Sequence, residues 1–134
     1  MCIFCKIINK EIPCYKVYED DLFLAFLDIS QATKGHTLVI PKKHYQNIFE
    51  LDKNVTNNML DVVQKIATGI KEATNCEGIN IINNNGVAAG QTVFHYHVHI
   101  IPRYSNDSMK IEFSSSELSK EEFLELQESI KNKL

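Results

Sequence analysis

The sequence has no apolar run approaching the roughly 18 residues that a membrane-spanning helix needs, and Met1-Cys2-Ile3-Phe4-Cys5-Lys6 lacks the apolar core of a signal peptide. Both absences lead us to expect a cytoplasmic protein. Basic residues are not in excess: 14 Lys and Arg stand against 17 Asp and Glu, a formal charge of −3, with no basic run or stripe. A nucleic-acid polymer is therefore not expected as the main partner. A small nucleotide is not excluded, because a few placed groups can bind a phosphate on an acidic protein. There is no internal repeat, no low-complexity tract and no linker rich in Pro, Gly or Ser, so the 134 residues read as one domain, 1–134, with a core of its own. In a reducing compartment the four cysteines are expected to be thiols or metal ligands rather than disulfides. No carboxylate cluster suggests a magnesium site.

What the sequence has instead is Phe94-His95-Tyr96-His97-Val98-His99-Ile100-Ile101-Pro102, with three of its five histidines at alternate positions. The aromatic and β-branched residues between them give the pattern of a strand, with His95, His97 and His99 on one face and Tyr96, Val98 and Ile100 on the other. Same-face neighbours on a strand lie about 6.5–7 Å apart, so three imidazoles can converge on one small group. Two chemistries use such a face. Neutral imidazoles can hold zinc and leave a position open for catalytic water. Alternatively, the middle histidine attacks a phosphate that its neighbours orient and neutralise. A merely hydrogen-bonded strand is the poorer account, since a core strand has little use for three imidazoles in register.

Along the rest of the chain, Cys2-Ile3-Phe4-Cys5 supplies half of a tetrahedral zinc site or a redox pair. A redox pair of the thioredoxin kind wants a preceding strand, and nothing precedes this one. Zinc needs two more ligands, and histidines are the available donors. Ile7, Ile8 and Ile12 suggest a short helix ending before Pro13. Residues 15–19 and 22–27 read as a hairpin around Asp20-Asp21. Asp28 follows it, and on its own reads as a turn cap. A strand over 36–40 ends at Pro41, with His36 facing as Leu38 and Ile40 do. The longest helix runs from about Asp52 to Asn75 on one apolar stripe. Residues 78–83 form a further strand, and Asn83-Asn84-Asn85-Gly86 enters a loop. Ser119-Lys120-Glu121-Glu122 has the form of a capping box, opening a terminal helix with Phe123, Leu126 and Ile130 inward. These elements predict an α+β fold with a largely antiparallel sheet backed by helices.

The histidine stretch matches His-φ-His-φ-His-φ-φ, where φ is apolar, and Gly90-Gln91-Thr92-Val93-Phe94 leads into it. In both respects it resembles the histidine triad (HIT) superfamily of nucleotide hydrolases and transferases. Phe26-Leu27-Asp28-Ile29-Ser30 and the run from Lys34 to His44 are similar to that family's nucleotide-binding half, so the resemblance extends from Cys2 to about Tyr104. It implies the HIT fold: a five-stranded, mostly antiparallel sheet with one long helix and short terminal helices, a core of about 2–104 and a segment 105–134 without a residue-level match. It also implies a homodimer whose two sheets are continuous.

As activity, the resemblance implies hydrolysis at the α-phosphate of nucleoside phosphoramidates or related AMP and GMP conjugates, through a covalent nucleotidyl-histidine. His97 would be the nucleophile, with His99 and His36 orienting the phosphate. Asp28 would accept from ribose hydroxyls, Phe26 and Ile29 would wall the base, and Asn84 would contact the nucleotide. Gly90 would permit close approach, and Gln91 and Thr92 would donate to its oxygens. A structural zinc would be held by Cys2, Cys5, His44 and His95. The alternatives are a dinucleoside polyphosphate hydrolase, a zinc hydrolase using all three triad imidazoles, and a slow-turnover nucleotide-binding or interaction module. An ordinary imidazole nucleophile would make the rate fall below about pH 6.5.

Overall fold

The computed structural model describes residues 2–134, in which five strands form one antiparallel sheet of order β1-β2-β3-β5-β4. The strands are β1 (Lys16–Glu19), β2 (Phe23–Leu27), β3 (Thr37–Pro41), β4 (Gly78–Ile82) and β5 (Val98–Arg103). Helix α1 (Ile3–Ile8) precedes them, α2 (Lys53–Thr74) separates β3 from β4, and α3 (Lys120–Lys131) follows β5. No helix among the described residues is long and apolar enough to cross a membrane.

Each boundary has a local cause. The Cys2 side chain caps α1, its Sγ accepting from the Cys5 N–H at 3.2 Å. The helix ends at Ile8, earlier than Pro13 requires, because Lys10 turns the chain at φ +63°. In the β1–β2 hairpin, Asp20 Oδ1 accepts from the N–H groups of Leu22 and Phe23 at 2.8 and 2.7 Å, so the aspartate side chain builds the turn. Asp52 caps α2 through the Val55 N–H, and Asn75 closes it in the left-handed conformation at φ +54°.

Strands β2 and β3 are almost continuously apolar because both faces of the sheet are covered there. Phe23, Ala25, Val39, Val98 and Ile100 pack against the buried stripe of α2. Leu24, Phe26, Leu38 and Ile40 pack on the other face, under Phe4 of α1. Toward β4 this second face has no helix over it, and the histidines occupy it.

Two expectations need correction. The triad does not lie on one regular strand from Phe94: β5 begins at Val98, residues 93–95 bend, and 96–97 are irregular. The reason is the lack of a partner. The β4 strand ends at Ile82, opposite His99, and the Tyr96 N–H bonds to the Tyr45 carbonyl instead of to a strand. Helix α3 has its capping box, but Phe123, Leu126 and Ile130 are 58, 48 and 53% exposed rather than inward. An irregular stretch before Lys120 carries the helix away from the sheet, and every residue from Lys110 to Leu134 is exposed. The root of this arm is firm: Arg103 donates two parallel hydrogen bonds to the Asp107 carboxylate and also donates to Asn80 and the Met109 carbonyl.

Candidate active site and metal-binding cluster

Two groups of side chains meet at the start of β5, and the irregular stretch 93–97 is what divides the histidines between them. His99 lies on β5 opposite Leu38, and His36 immediately precedes β3, so the antiparallel pairing of β3 with β5 brings the two imidazoles together. His36 Nε2 and His99 Nδ1 are 2.9 Å apart. His97 packs beside His99 with ring centroids 5.0 Å apart, and the Phe4 ring meets it edge-on at 5.2 Å. The His97 Nδ1 lies 2.7 Å from the His95 carbonyl. A carbonyl only accepts, so Nδ1 carries the proton and the lone pair is on Nε2.

Burial is the main influence on all three rings and lowers each below the ordinary imidazole value. For His36 and His97 the nearby Asp28 carboxylate partly opposes it. For His99, positive charge on His97 or His36 adds to the effect of burial and brings the pKa down to about 4. Neutral imidazoles at pH 7 follow, and a neutral Nε2 is the nucleophilic form.

His95 faces elsewhere. Its Nε2–H donates to the Pro41 carbonyl at 2.8 Å, which leaves the Nδ1 lone pair directed at the second group. There His95 Nδ1 is 3.4 Å from Cys2 Sγ, 3.6 Å from Cys5 Sγ and 3.2 Å from His44 Nδ1. His44 Nδ1 is 3.6 and 3.4 Å from the same two sulfurs. A tetrahedral zinc with ordinary bond lengths has sulfur–nitrogen edges of about 3.6 Å and nitrogen–nitrogen edges of about 3.3 Å, so five of the six edges fit. The sulfurs, 3.0 Å apart, are closer than the edge of about 3.8 Å that such an ion sets. Burial, with the neighbouring Cys2, pushes the Cys5 thiol up to about 11. Two adjacent thiolates thus need a cation between them, and this donor set could hold one.

The remaining expected site residues are placed unevenly. Asp28 ends β2 with its Oδ2 3.6 Å from His36 Nε2, and its Oδ1 accepts from the Ser30 N–H. Ile29 beside it is 86% exposed, free to meet a ligand. Phe26 is buried against Phe4, with ring centroids 5.7 Å apart, and is part of the core under α1. Gly90 has φ +88°, which favours glycine, and Asn84 Nδ2 lies 3.8 Å from where its Cβ would be. Thr92 is exposed at the end of this loop.

The side chain of Gln91 is not a free donor: its Nε2 donates to the carbonyls of Gln46 and Val93, and its Oε1 accepts from the Gly86 N–H. It shapes the loop instead of reaching out of it. Two residues escaped the sequence reading. Asn83 Nδ2 donates to the His97 carbonyl at 2.9 Å, where a strand partner is missing, and Phe4 supports the His95 and His97 rings. Asn83 sits in an asparagine run that reads as turn chemistry, and Phe4 as the filler of a Cys-x-x-Cys. Neither has a local signal for its role.

Comparison with known proteins agrees with this geometry. The HIT domain matches residues 9–106. The protein named Protein hit of Bacillus subtilis is 58% identical over 103 residues, covering 77% of this chain and 71% of its own. Adenosine 5'-monophosphoramidase hnt1 of Schizosaccharomyces pombe is 41% identical over 134 residues, 99% of this chain and 98% of that one. A crystal structure of a HIT family member from Bacillus subtilis superposes with a TM-score of 0.94 at 48% identity, covering 99% and 96% of the two chains. A zinc-bound histidine triad family protein from Mycobacterium smegmatis does so at 0.77 and 40% identity, over 86% and 84%. With its antiparallel five-stranded sheet, its histidine motif at the head of β5 and its Cys-x-x-Cys beside it, this chain belongs to the HIT domain family.

Proposed function

We propose that the protein hydrolyses nucleotide conjugates at the α-phosphorus, a nucleoside 5′-phosphoramidate being the substrate class, with His97 as nucleophile. The observation that carries this reading is the tautomer of His97: its Nδ1–H is held by the His95 carbonyl, which leaves a bare Nε2 among buried, neutral imidazoles. In the first step Nε2 bonds to phosphorus, the bond to the leaving amine breaks, and that amine takes a proton from the histidine shell. In the second step water attacks phosphorus and returns a proton to the histidine shell, the bond from phosphorus to Nε2 breaks, the mononucleotide leaves, and His97 regains its lone pair. The identity to a monophosphoramidase over nearly its whole length supports this substrate class.

Asp28 accepts from the ribose hydroxyls, and the exposed Ile29, with an edge of Phe26, walls a purine base. Asn84, Gly90 and Thr92 line the phosphate side, where Gln91 fixes the loop. Zinc held by Cys2, Cys5, His44 and His95 is structural in this reading: it ties α1 to the connection after β3 and to the head of β5, and no step passes through it. Rapid mixing with adenosine 5′-phosphoramidate followed by intact mass spectrometry tests the mechanism. A transient nucleotidyl adduct and release of AMP are the expected results, and failure to release AMP from this or related conjugates rejects it.

The pH profile is the second expectation. Protonation removes the Nε2 lone pair, and a lowered pKa moves that loss acidward. The rate of adduct formation is therefore flat from pH 8 through the ordinary imidazole value of about 6.5 and falls only below it. Half-loss at pH 6.5 or above would contradict the burial of these rings.

The outer edge of β4 supports reading the protein as a homodimer. That strand pairs only with β5, Ile81 and Leu60 beside it are 52 and 74% exposed, and a hollow of about 570 Å³ runs between α2 and β4. Unpaired apolar edges invite a second copy. Ile81→Asp is expected to shift sedimentation from dimer to monomer; a wild type that sediments as a monomer at micromolar concentration rejects this pairing.

A further inference from the structure

The loop from β2 to β3 contains one side chain whose polar atoms all turn back on the loop's own backbone. Gln31 Oε1 accepts from the N–H groups of Gly35 and His36 at 2.7 and 3.2 Å. Its Nε2 donates to the carbonyls of Asp28 and His36 at 2.5 and 2.7 Å. One amide thus fastens the proposed ribose acceptor to the histidine that meets His99. Gln31 is itself exposed, so water can take over its bonds and the core does not depend on it.

The closed loop presents the Ala32 N–H to His36 Nδ1 at 3.1 Å. A backbone N–H only donates, so Nδ1 keeps its lone pair and a neutral His36 carries its proton on Nε2. That Nε2 is 2.9 Å from His99 Nδ1, and two N–H groups cannot face one another at this distance. His99 Nδ1 is therefore the acceptor, and the proton of His99 is on its Nε2. The direction of this chain is set at its far end, by a main-chain amide two rings away from the reaction. His97 has the opposite tautomer, with its proton on Nδ1. Neighbouring imidazoles then offer unlike nitrogens, a lone pair on His97 and an N–H on His99, which suits a nucleophile beside an acid.

We propose that Gln31 is a positioning residue: by folding residues 28–36 onto the Ala32 N–H it sets the tautomers of His36 and His99, so that His99 enters the reaction as proton donor to the leaving group. Only the final clause rests on the hydrolase reading. The competing acceptor is the Ser30 carbonyl on the same turn, which favours a protonated His36 ring and would take an Nδ1–H if the turn relaxed.

Proton–nitrogen correlation spectra of the metal-loaded protein, labelled with nitrogen-15 in histidine, distinguish the two neutral tautomers directly. Wild type is expected to show His36 and His99 protonated on Nε2 and His97 on Nδ1. Gln31→Met keeps the length of the side chain and removes all four bonds. Gln31→Glu keeps both acceptor bonds and sets an oxygen against the Asp28 and His36 carbonyls. Both variants should show His36 as a mixture of tautomers and lower kcat on adenosine 5′-phosphoramidate roughly ten- to a hundredfold, more than they raise KM. Their melting temperatures should stay within about 2 °C of wild type, as for an exposed substitution. An Nδ1 proton on His36 or His99 in wild type overturns the proposal, and so do unchanged tautomers in both variants, whatever their activity. If wild type itself fails to turn over phosphoramidates, the hydrolase reading falls while the spectra still decide the tautomers.

Discussion

Replacing His97 by alanine is expected to lower kcat by about three orders of magnitude or more while leaving AMP binding within a few-fold of wild type. Nothing else in the site can take the place of its Nε2. His95 has one nitrogen committed to the Pro41 carbonyl and the other to the cysteine cluster, and His36 and His99 are bonded to each other. In the proposed reading the binding energy of a nucleotide comes from groups that the substitution does not touch, Asp28 and Ile29 among them. The loss should therefore appear in kcat rather than in KM. The substitution leaves a small void beside Phe4 and His99, and removal of the buried imidazole should cost about 1–3 kcal/mol of stability. AMP release measured under saturating substrate, with titration calorimetry of AMP on the same sample, checks both halves. Turnover within tenfold of wild type would remove His97 as the nucleophile. Turnover lost together with binding would indicate a collapsed site instead.

The double substitution Cys2→Ser with Cys5→Ser is expected to abolish tight metal binding and to lower the melting temperature by about 10 °C or more. Wild type purified without chelator should contain close to one zinc per chain. The effect should be large because the cluster fastens the amino-terminal turn to the residue after Pro41-Lys42-Lys43 and to the first triad histidine, adding metal bonds to the packing of Phe4 on His95. Without the ion, two thiols and two imidazoles are left packed together, and the Cys5 thiol is held protonated, with its pKa pushed up to about 11. Chelation should lower thermal stability before it lowers the initial rate, since the reaction uses His97, His99 and His36. A metal-free wild type, or serine variants that melt with it, would reject the assignment. An immediate loss of rate on chelation, at full thermal stability, would favour metal-activated water over the histidine nucleophile.

The sequence carries long-range information unevenly, and the triad illustrates this. Alternation of His95, His97 and His99 is legible as a shared face, and His99 does meet His36, just before β3, with His97 beside it. What alternation does not carry is whether a neighbouring strand exists for the backbone of 94–97. It does not, and the bend sends His95 to the cysteines. Helix α2 was legible almost to the residue because both its stripe and its caps, Asp52 and Asn75, are local. For α3 the same reasoning identified the helix and its apolar residues but not what faces them, since periodicity says which side is apolar and nothing of what covers it. Gln91 shows the converse. A glutamine beside a phosphate-type glycine loop looks like a donor, and only the position of Gln46, far off in sequence, shows that its amide is already engaged.

The order in which the chain is made gives the cysteine cluster a further meaning. Cys2 and Cys5 leave the ribosome before their partner His95, which lies 93 and 90 residues later. At about 5–20 residues per second the two thiols wait roughly 5–20 s for their last ligand. Through that interval α1 is held by Phe4 packed against Phe26 and its neighbours, and any ion the two thiols hold lacks its last ligand. The ion becomes locked only when the head of β5 has been synthesised, which is also when His97 receives the carbonyl that directs its proton. On the zinc reading, retention of the metal by a nascent chain therefore marks completion of the histidine face, and chains stalled before β5 should be the ones that lose it.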